Sequence, residues 1–171
     1  MTKRLKIGID PGSKTGIAIW NSTDRKFEEN GLSTKDFWKA IFFIQGIKRD
    51  LNAEIDHITL IIEDPNKNAP VFMINNEKNR ILQALEMENK REAFTEIDSV
   101  LRVFSRRAQN VGQNKQMATF MIEYFRNIGF KVKEVRPTQT KMKDYAFKAI
   151  TKYQGRCSQH ARDAAMLCIG L

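Results

Sequence analysis

The stretch Leu5–Trp20, LKIGIDPGSKTGIAIW, predicts how the fold begins. Apolar and non-apolar residues alternate from Leu5 to Asp10, with the period of two that is typical of a β-strand. A Pro-Gly turn at 11–12 follows, and Gly16–Trp20 is a second apolar stretch. A third strand is predicted at Lys26–Leu32. Three short strands in series indicate an antiparallel meander.

Helical patterns and two further strands follow the meander. Ser33 with Asp36 three residues later is a helix-start pattern, and Phe37–Leu51 has a broad apolar face. His57–Ile62 is a nearly continuous apolar run, typical of a strand covered on both faces, and Phe130–Val135 is another candidate strand. Further helices are predicted at about 77–104, 108–127 and 143–153, and from about Ser158 onward. This order predicts an α/β domain with a mixed sheet.

The composition excludes several classes of protein. The 171 residues are 42% hydrophobic and 29% charged, as in an ordinary globular domain. No apolar run is long enough to span a bilayer, and the first residues lack a signal-peptide pattern. Cys157 and Cys168 make neither a disulfide framework nor a zinc cluster. We therefore expect a cytoplasmic protein with reduced thiols and no membrane partner.

The positive charge is concentrated in one part of the chain. The net charge is +9, and Ser99–Arg156 alone contains 13 basic and 3 acidic residues. Such an excess favours a polyanionic partner such as nucleic acid. A solvated lysine-rich surface would give the same composition, so charge by itself leaves both interpretations open.

Four residues stand where a metal site would need them. Asp10 and Glu63 each end an apolar strand, where a carboxylate is costly unless it is paired or binds a cation. His160 and Asp163 are three residues apart, so they share one face of the last helix. A turn aspartate, a core histidine and a first-turn acid would explain each residue singly. Together they form a set of hard ligands that suits Mg²⁺ or Mn²⁺, and two such ions can catalyse phosphodiester hydrolysis.

Six segments occur along the chain in this order: IGIDPGSKTGIAIW, LIIED, VFMINN, RRAQNVGQNKQ, VRPTQTKMK and HARDAAMLCIG. In this order they resemble RuvC-type Holliday junction resolvases, which belong to the RNase H-like nuclease superfamily. The resemblance covers most of the chain, and its specificity lies in the combination.

The resemblance implies a fold, a reaction and a catalytic set. It implies one RNase H-like α/β domain over residues 1–171, with three antiparallel strands followed by two parallel strands, flanked by helices. It implies that Asp10, Glu63, His160 and Asp163 bind Mg²⁺, two ions per active site, with Mn²⁺ able to substitute. Many relatives have aspartate where this chain has His160, an exchange that removes one negative charge.

The resemblance also implies a substrate and a partner. The enzyme would act as a homodimer that nicks two symmetric strands of a four-way DNA junction, leaving 5′-phosphate and 3′-hydroxyl ends. Phe72 is similar to a family aromatic that meets DNA near the crossover, and Lys141 matches a lysine that meets the phosphate backbone. The other basic candidates for DNA binding are Lys143, Lys115, Arg106 and Arg107.

The chain departs from the cellular pattern in three places. The connection Glu63–Phe72 is longer, and a charged helical insertion occupies about 79–105. The Gly- and Lys-containing loop expected after Lys141 is shortened or missing. All three lie where dimerisation and junction recognition would be decided. Compact resolvases of this kind occur in phages, and the lysine- and asparagine-rich composition fits such an origin, so we expect a bacterial or phage-infected host.

Three other interpretations stay open at this point. A nuclease acting on flaps, forks or RNA–DNA hybrids would share the same metal site. A non-catalytic DNA-binding protein would explain the basic half but not four metal-type ligands in register. An actin- or sugar-kinase-type ATPase has a similar Gly-rich turn, but it needs two lobes and about twice this length.

Overall fold

The computed structural model describes residues 3–50, 57–68, 75–138 and 141–170. These residues form a mixed five-stranded sheet flanked by helices. The strands are β1 (Leu5–Asp10), β2 (Lys14–Asn21), β3 (Lys26–Asp36), β4 (Ile58–Glu63) and β5 (Lys131–Val135). The helices are α1 (Phe37–Asp50), α2 (Asn75–Leu85), α3 (Lys90–Asn127), α4 (Asp144–Thr151) and α5 (Gln159–Ile169). Within the described ranges, no helix has the length and apolarity needed to cross a membrane.

Strand β1 lies at the centre of the sheet, whose order is β3-β2-β1-β4-β5. Ile9 of β1 is opposite Ile17 of antiparallel β2 and opposite Ile62 of parallel β4. The predicted α/β domain with a mixed sheet is confirmed. We expected three antiparallel strands followed by two parallel strands. The strands follow one another in this way along the chain, but their order in the sheet is different. Strand β1 takes the central position because β2 pairs with one of its sides and β4, which follows α1 in the chain, pairs with the other.

The sheet has a different helical cover on each face. Leu5, Ile7 and Ile9 point to the face covered by α1 and the C-terminal part of α3. That core also contains Ile41, Ile44, Met121 and Phe125, all buried. The opposite face is covered by α5, where the buried residues are Ala161, Ala164, Ala165, Met166 and Cys168.

Helix α5 approaches the sheet unusually closely because two strand residues have no side chain. A Cβ atom on Gly8 would lie 1.9 Å from the carbonyl oxygen of Ala164, and one on Gly16 would lie 2.0 Å from that of His160. The helix begins where the Ser158 hydroxyl accepts a hydrogen bond of 3.1 Å from a backbone N–H. The close approach of α5 at Gly8 and Gly16 places the first turn of the helix over the end of β1.

The chain divides into two compact units. One comprises Met1–Asn68 with Asn114–Leu171, and the other is Ala69–Gln113, which contains the charged insertion predicted at 79–105. In the second unit, α2 and the first part of α3 are joined by two ion pairs. Their closest N–O distances are each 2.7 Å, and the pairs are Arg107–Glu77 and Arg80–Glu96.

Two predictions of helix boundaries were wrong. Helices were expected at 77–104 and 108–127, whereas α3 is continuous and the interruption falls between Leu85 and Lys90. The side chain of Asn89 accepts hydrogen bonds from the first turn of α3, at 3.1 Å from Arg91 N, so the helix starts there. Ser33 and Asp36 belong to β3, because pairing with β2 extends to the end of that strand.

We expect Gly16→Ala to lower the free energy of unfolding by about 1–3 kcal/mol, because the new methyl group must displace the backbone of α5. Gly112→Ala is the matched control, because its Cβ would meet nothing within 4 Å. That change, inside a helix, should stabilise by about 0.5–1 kcal/mol. Urea unfolding of both variants measures the difference. Equal stability of Gly16→Ala and the parent chain would contradict the close packing.

Candidate active site

A cavity of ≈ 250 Å³ lies where β1, β4 and α5 meet. Because β1 and β4 are parallel neighbours, Asp10 and Glu63 reach the same edge of the sheet. His160 and Asp163 come from the first turns of α5. All four residues line the cavity, together with Lys141. Four side chains that are distant in sequence therefore share one site.

His160 is held against Asp10. The distance from its Nδ1 atom to Oδ2 of Asp10 is 2.7 Å, and the two side chains are 45% and 16% exposed. Burial raises the pKa of Asp10, and the hydrogen bond from His160 opposes that rise. Asp10 is also opposite Gly16 in the sheet register, which is the residue on which the first turn of α5 rests. The close approach of α5 thus sets this contact.

The pKa of Glu63 lies far above its ordinary value. Burial, followed by the negative charges of Asp10 and Asp163, raises its pKa from the ordinary 4.5 to about 7, and Lys141 acts in the opposite direction. The carboxylates therefore repel one another in a partly dry environment. A cation bound among them would relieve this repulsion.

Asp163 is oriented by a side-chain network on α5. The amide nitrogen of Gln159 donates to Oδ1 of Asp163 at 2.7 Å and to the carbonyl oxygen of Met142 at 3.2 Å. Arg162 donates to the same carbonyl at 3.3 Å and to the amide oxygen of Gln159 at 2.9 Å. Since Lys141 directly precedes Met142, the network fixes the lysine's segment to the helix that carries Asp163. We refer to Gln159 and Arg162 as the clamp.

The donor set fits a hard divalent cation in its chemistry. Three carboxylates and one imidazole line the cavity, and oxygen-rich sets of this kind suit Mg²⁺ and Mn²⁺. Within the residues described, no three His, Cys, Asp or Glu side chains are arranged as a ready-made metal centre. Two of the oxygens already accept hydrogen bonds, from His160 and Gln159. Each hydrogen bond uses one oxygen of its carboxylate, and the second oxygen of the group can serve a metal ion.

The predicted DNA-contacting residues are spread over the chain. Lys141 lines the cavity, and Lys143 is exposed at the start of α4. Lys115 is half-buried on α3. Phe72 lies outside the described residues. In the second unit Arg106 is exposed, whereas the Arg107 guanidinium pairs with the buried carboxylate of Glu77.

Some residues at the site were not found from the sequence pattern. Ser13, Lys14, Asn114 and Thr138 also line the cavity. All four belong to segments that carry the family resemblance, which was the available signal. The clamp was missed because its residues flank His160 and have no role that spacing alone indicates.

Comparison with protein-family models, with curated proteins and with solved structures finds no match to this chain. What can be inferred about function therefore depends on the chemistry of its own residues.

The free energy of unfolding of the metal-free protein should fall as the pH rises from about 4.5 to about 7. In this window the folded state keeps the proton of Glu63 that the unfolded state has released. The stabilisation is complete below the unfolded pKa and lost above the folded one, and the raised pKa of Asp10 acts in the same direction.

Chemical denaturation in EDTA across this pH range measures the effect, and Glu63→Gln should flatten the profile. Glu123→Gln, at an exposed position on α3, is the control and should keep the slope. If the free energy of unfolding of Glu63→Gln changed with pH as steeply as that of the parent chain, Glu63 would not retain its proton in the fold.

Proposed function

We propose that this protein is a structure-selective DNA endonuclease with an RNase H-like fold. It resolves four-way junctions by divalent-metal-dependent phosphodiester hydrolysis, as a homodimer that nicks two symmetric strands. The observation that carries the proposal is the meeting of Asp10, Glu63, His160 and Asp163, from three separate elements, in one cavity. The central position of β1 beside β4 supports the RNase H-like assignment.

The charge around the cavity supports a polyanionic substrate. Lys141 contributes a cation to the cavity and opposes the raised pKa of Glu63. In the sequence, Lys141 belongs to the stretch Ser99–Arg156, which has 13 basic and 3 acidic residues. A phosphodiester would thus meet a cation next to the carboxylates that bind its metal.

The chemistry divides between the cation and the chain. Asp10, Glu63, His160 and Asp163 would hold Mg²⁺ or Mn²⁺, which would supply an activated water and stabilisation of the leaving oxygen. The chain's residues prepare the site: His160 fixes the carboxylate of Asp10 through its 2.7 Å contact. Gln159 orients Asp163 at 2.7 Å. The ammonium group of Lys141 attracts the phosphate. Hydrolysis leaves products with 5′-phosphate and 3′-hydroxyl ends.

A panel of substrates tests the proposal. The protein is incubated with an immobile four-way junction, matched forks, an RNA–DNA hybrid and linear duplex, each with Mg²⁺, Mn²⁺ or EDTA. Paired symmetric nicks confined to the junction would support a resolvase. Equal cutting of forks or hybrids would indicate a broader nuclease of the same superfamily. Binding without cutting in either metal would leave a DNA-binding protein.

We expect Asp10→Asn to reduce junction cleavage at least about 1,000-fold, because a ligand of the metal is lost and metal ions supply several kcal/mol of transition-state stabilisation. Junction affinity in EDTA should change little, because the basic surface is intact. Cleavage is followed on denaturing gels and affinity by fluorescence anisotropy. An active Asp10→Asn variant would show that the reaction takes place elsewhere.

Lys141→Ala should weaken junction binding and reduce the slope of log K against log [salt] by about 1, the value for one lost phosphate contact. Lys131→Ala is the matched control, because it removes the same charge from an exposed position on β5 that does not line the cavity. Its salt slope should stay close to that of the parent. Equal slopes for both variants would remove Lys141 from the phosphate contacts.

A further inference from the structure

Exposed aromatic side chains lie on α1 and α3 of the first unit, outside the cavity. Trp38 is 59% exposed, Phe42 67% and Phe120 41%. Trp38 and Phe42 are four residues apart and therefore share one face of α1. Among the side chains described on α1 and on α3 from Asn114 onward, every strongly exposed large apolar residue is aromatic. A cluster of exposed apolar rings of this kind marks an interaction surface.

The rings are built in two layers, so their positions are fixed. Phe37 and Tyr124 are half-buried against the core. Trp38 packs edge-on to Phe37 with ring centroids 5.2 Å apart, and Phe120 stacks on Tyr124 at 5.8 Å and 8°. Trp38 and Phe120 meet at 5.5 Å, and Gln45 donates to the Tyr124 hydroxyl at 2.6 Å. We call Phe37, Trp38, Phe120 and Tyr124 the aromatic platform.

Phe37 and Phe120, on the two helices of the platform, each follow a residue that is hydrogen-bonded near the cavity. Asp36, directly before Phe37, accepts a hydrogen bond of 2.6 Å from Lys14, which lines the cavity. Thr119, directly before Phe120, accepts one of 3.0 Å from Asn66. Asn66 follows Glu63 by three residues. Asn114, which also lines the cavity, lies six residues before Phe120 on α3, about 9 Å along the helix.

The rim of the platform is suited to a phosphate backbone. Lys14 and Lys39 both pair with Asp36, at 2.6 and 3.7 Å, and are 66% and 78% exposed. The ammonium of Lys35 lies 4.4 Å from the ring centroid of Phe43. Lys14 and Lys39 are thus held beside the start of α1, which carries Phe37 and Trp38, and they outnumber the one acid with which they pair.

We propose that the aromatic platform stacks on an unpaired nucleobase of the DNA strand whose phosphates pass the cavity. The inference rests on the proposed function and deepens it, because it gives a physical basis for structure selectivity. Bases inside a duplex already stack on their neighbours, whereas a base at a branch can turn its face to a protein ring. One stacked base changes affinity by about 5- to 150-fold.

Tryptophan fluorescence tests the contact directly. The chain has two tryptophans, and Trp20→Phe leaves Trp38 as the only reporter. Trp20 is half-buried against Phe27, so the change should be tolerated. In EDTA, a four-way junction and a single-stranded oligonucleotide should quench the emission of Trp38, and intact duplex should quench it far less. A DNA complex detected by anisotropy without quenching would overturn the proposal.

Substitutions measure the contribution to affinity. Trp38→Leu should weaken junction binding about tenfold while leaving duplex binding nearly unchanged, and Trp38→Phe should restore most of the affinity. Phe94→Leu is the matched control, because Phe94 is 74% exposed in the second unit. Equal losses for junction and duplex would overturn stacking. A variant that sediments as a monomer where the parent chain sediments as a dimer, and that still binds DNA normally, would also overturn stacking. In that case a second copy of the chain would cover the platform.

The outcomes also separate this inference from the proposed function. Cleavage of the junction with Mg²⁺ and no quenching would overturn the platform alone. Quenching by the junction without cleavage in Mg²⁺ or Mn²⁺ would keep the platform and overturn the nuclease. A protein that binds none of the DNA probes would overturn both.

Discussion

Helix α5 lies against the sheet at a distance set by backbone atoms, because Gly8 and Gly16 have no side chains. The carbonyl oxygens of Ala164 and His160 stand 1.9 and 2.0 Å from where the missing Cβ atoms would be. Glycine inside a strand is normally unfavourable, so its presence here marks a close approach of backbone. The consequence is the 2.7 Å contact between His160 and Asp10. Without this packing, the residues of α5 and those of β1 would not share a cavity.

The same packing concentrates negative charge. Asp10, Glu63 and Asp163 come together in partly buried positions. Burial first, and then the charges of Asp10 and Asp163, raise the pKa of Glu63 to about 7. Strongly shifted pKa values in a cleft are typical of functional sites, where stability is given up for chemistry. His160 and Lys141 offset part of the repulsion in the folded chain. A divalent cation would offset the rest, which links metal binding to the stability of the fold.

The groups around the cavity are held by contacts to the core. The clamp attaches the segment of Lys141 to α5 through the Met142 carbonyl, at 3.2 and 3.3 Å. The platform rests on half-buried Phe37 and Tyr124. Rings and cations that are already fixed lose less conformational entropy when a ligand binds. Both features therefore favour recognition by a pre-organised surface.

Local patterns allowed much of this to be predicted from the sequence. Alternation of apolar residues located β1 as Leu5–Asp10, and the serine before α5 marked where that helix starts. Strand ends and helix spacing pointed to Asp10, Glu63, His160 and Asp163, because each signal lies within a few residues. The tertiary structure alone decided the order β3-β2-β1-β4-β5, the clamp and the platform. Helix α3 begins at a local signal, the Asn89 side chain, that its apolar periodicity does not contain. The strand order, the clamp and the platform depend on contacts between residues distant in the chain, and local periodicity contains no information about which distant surfaces meet.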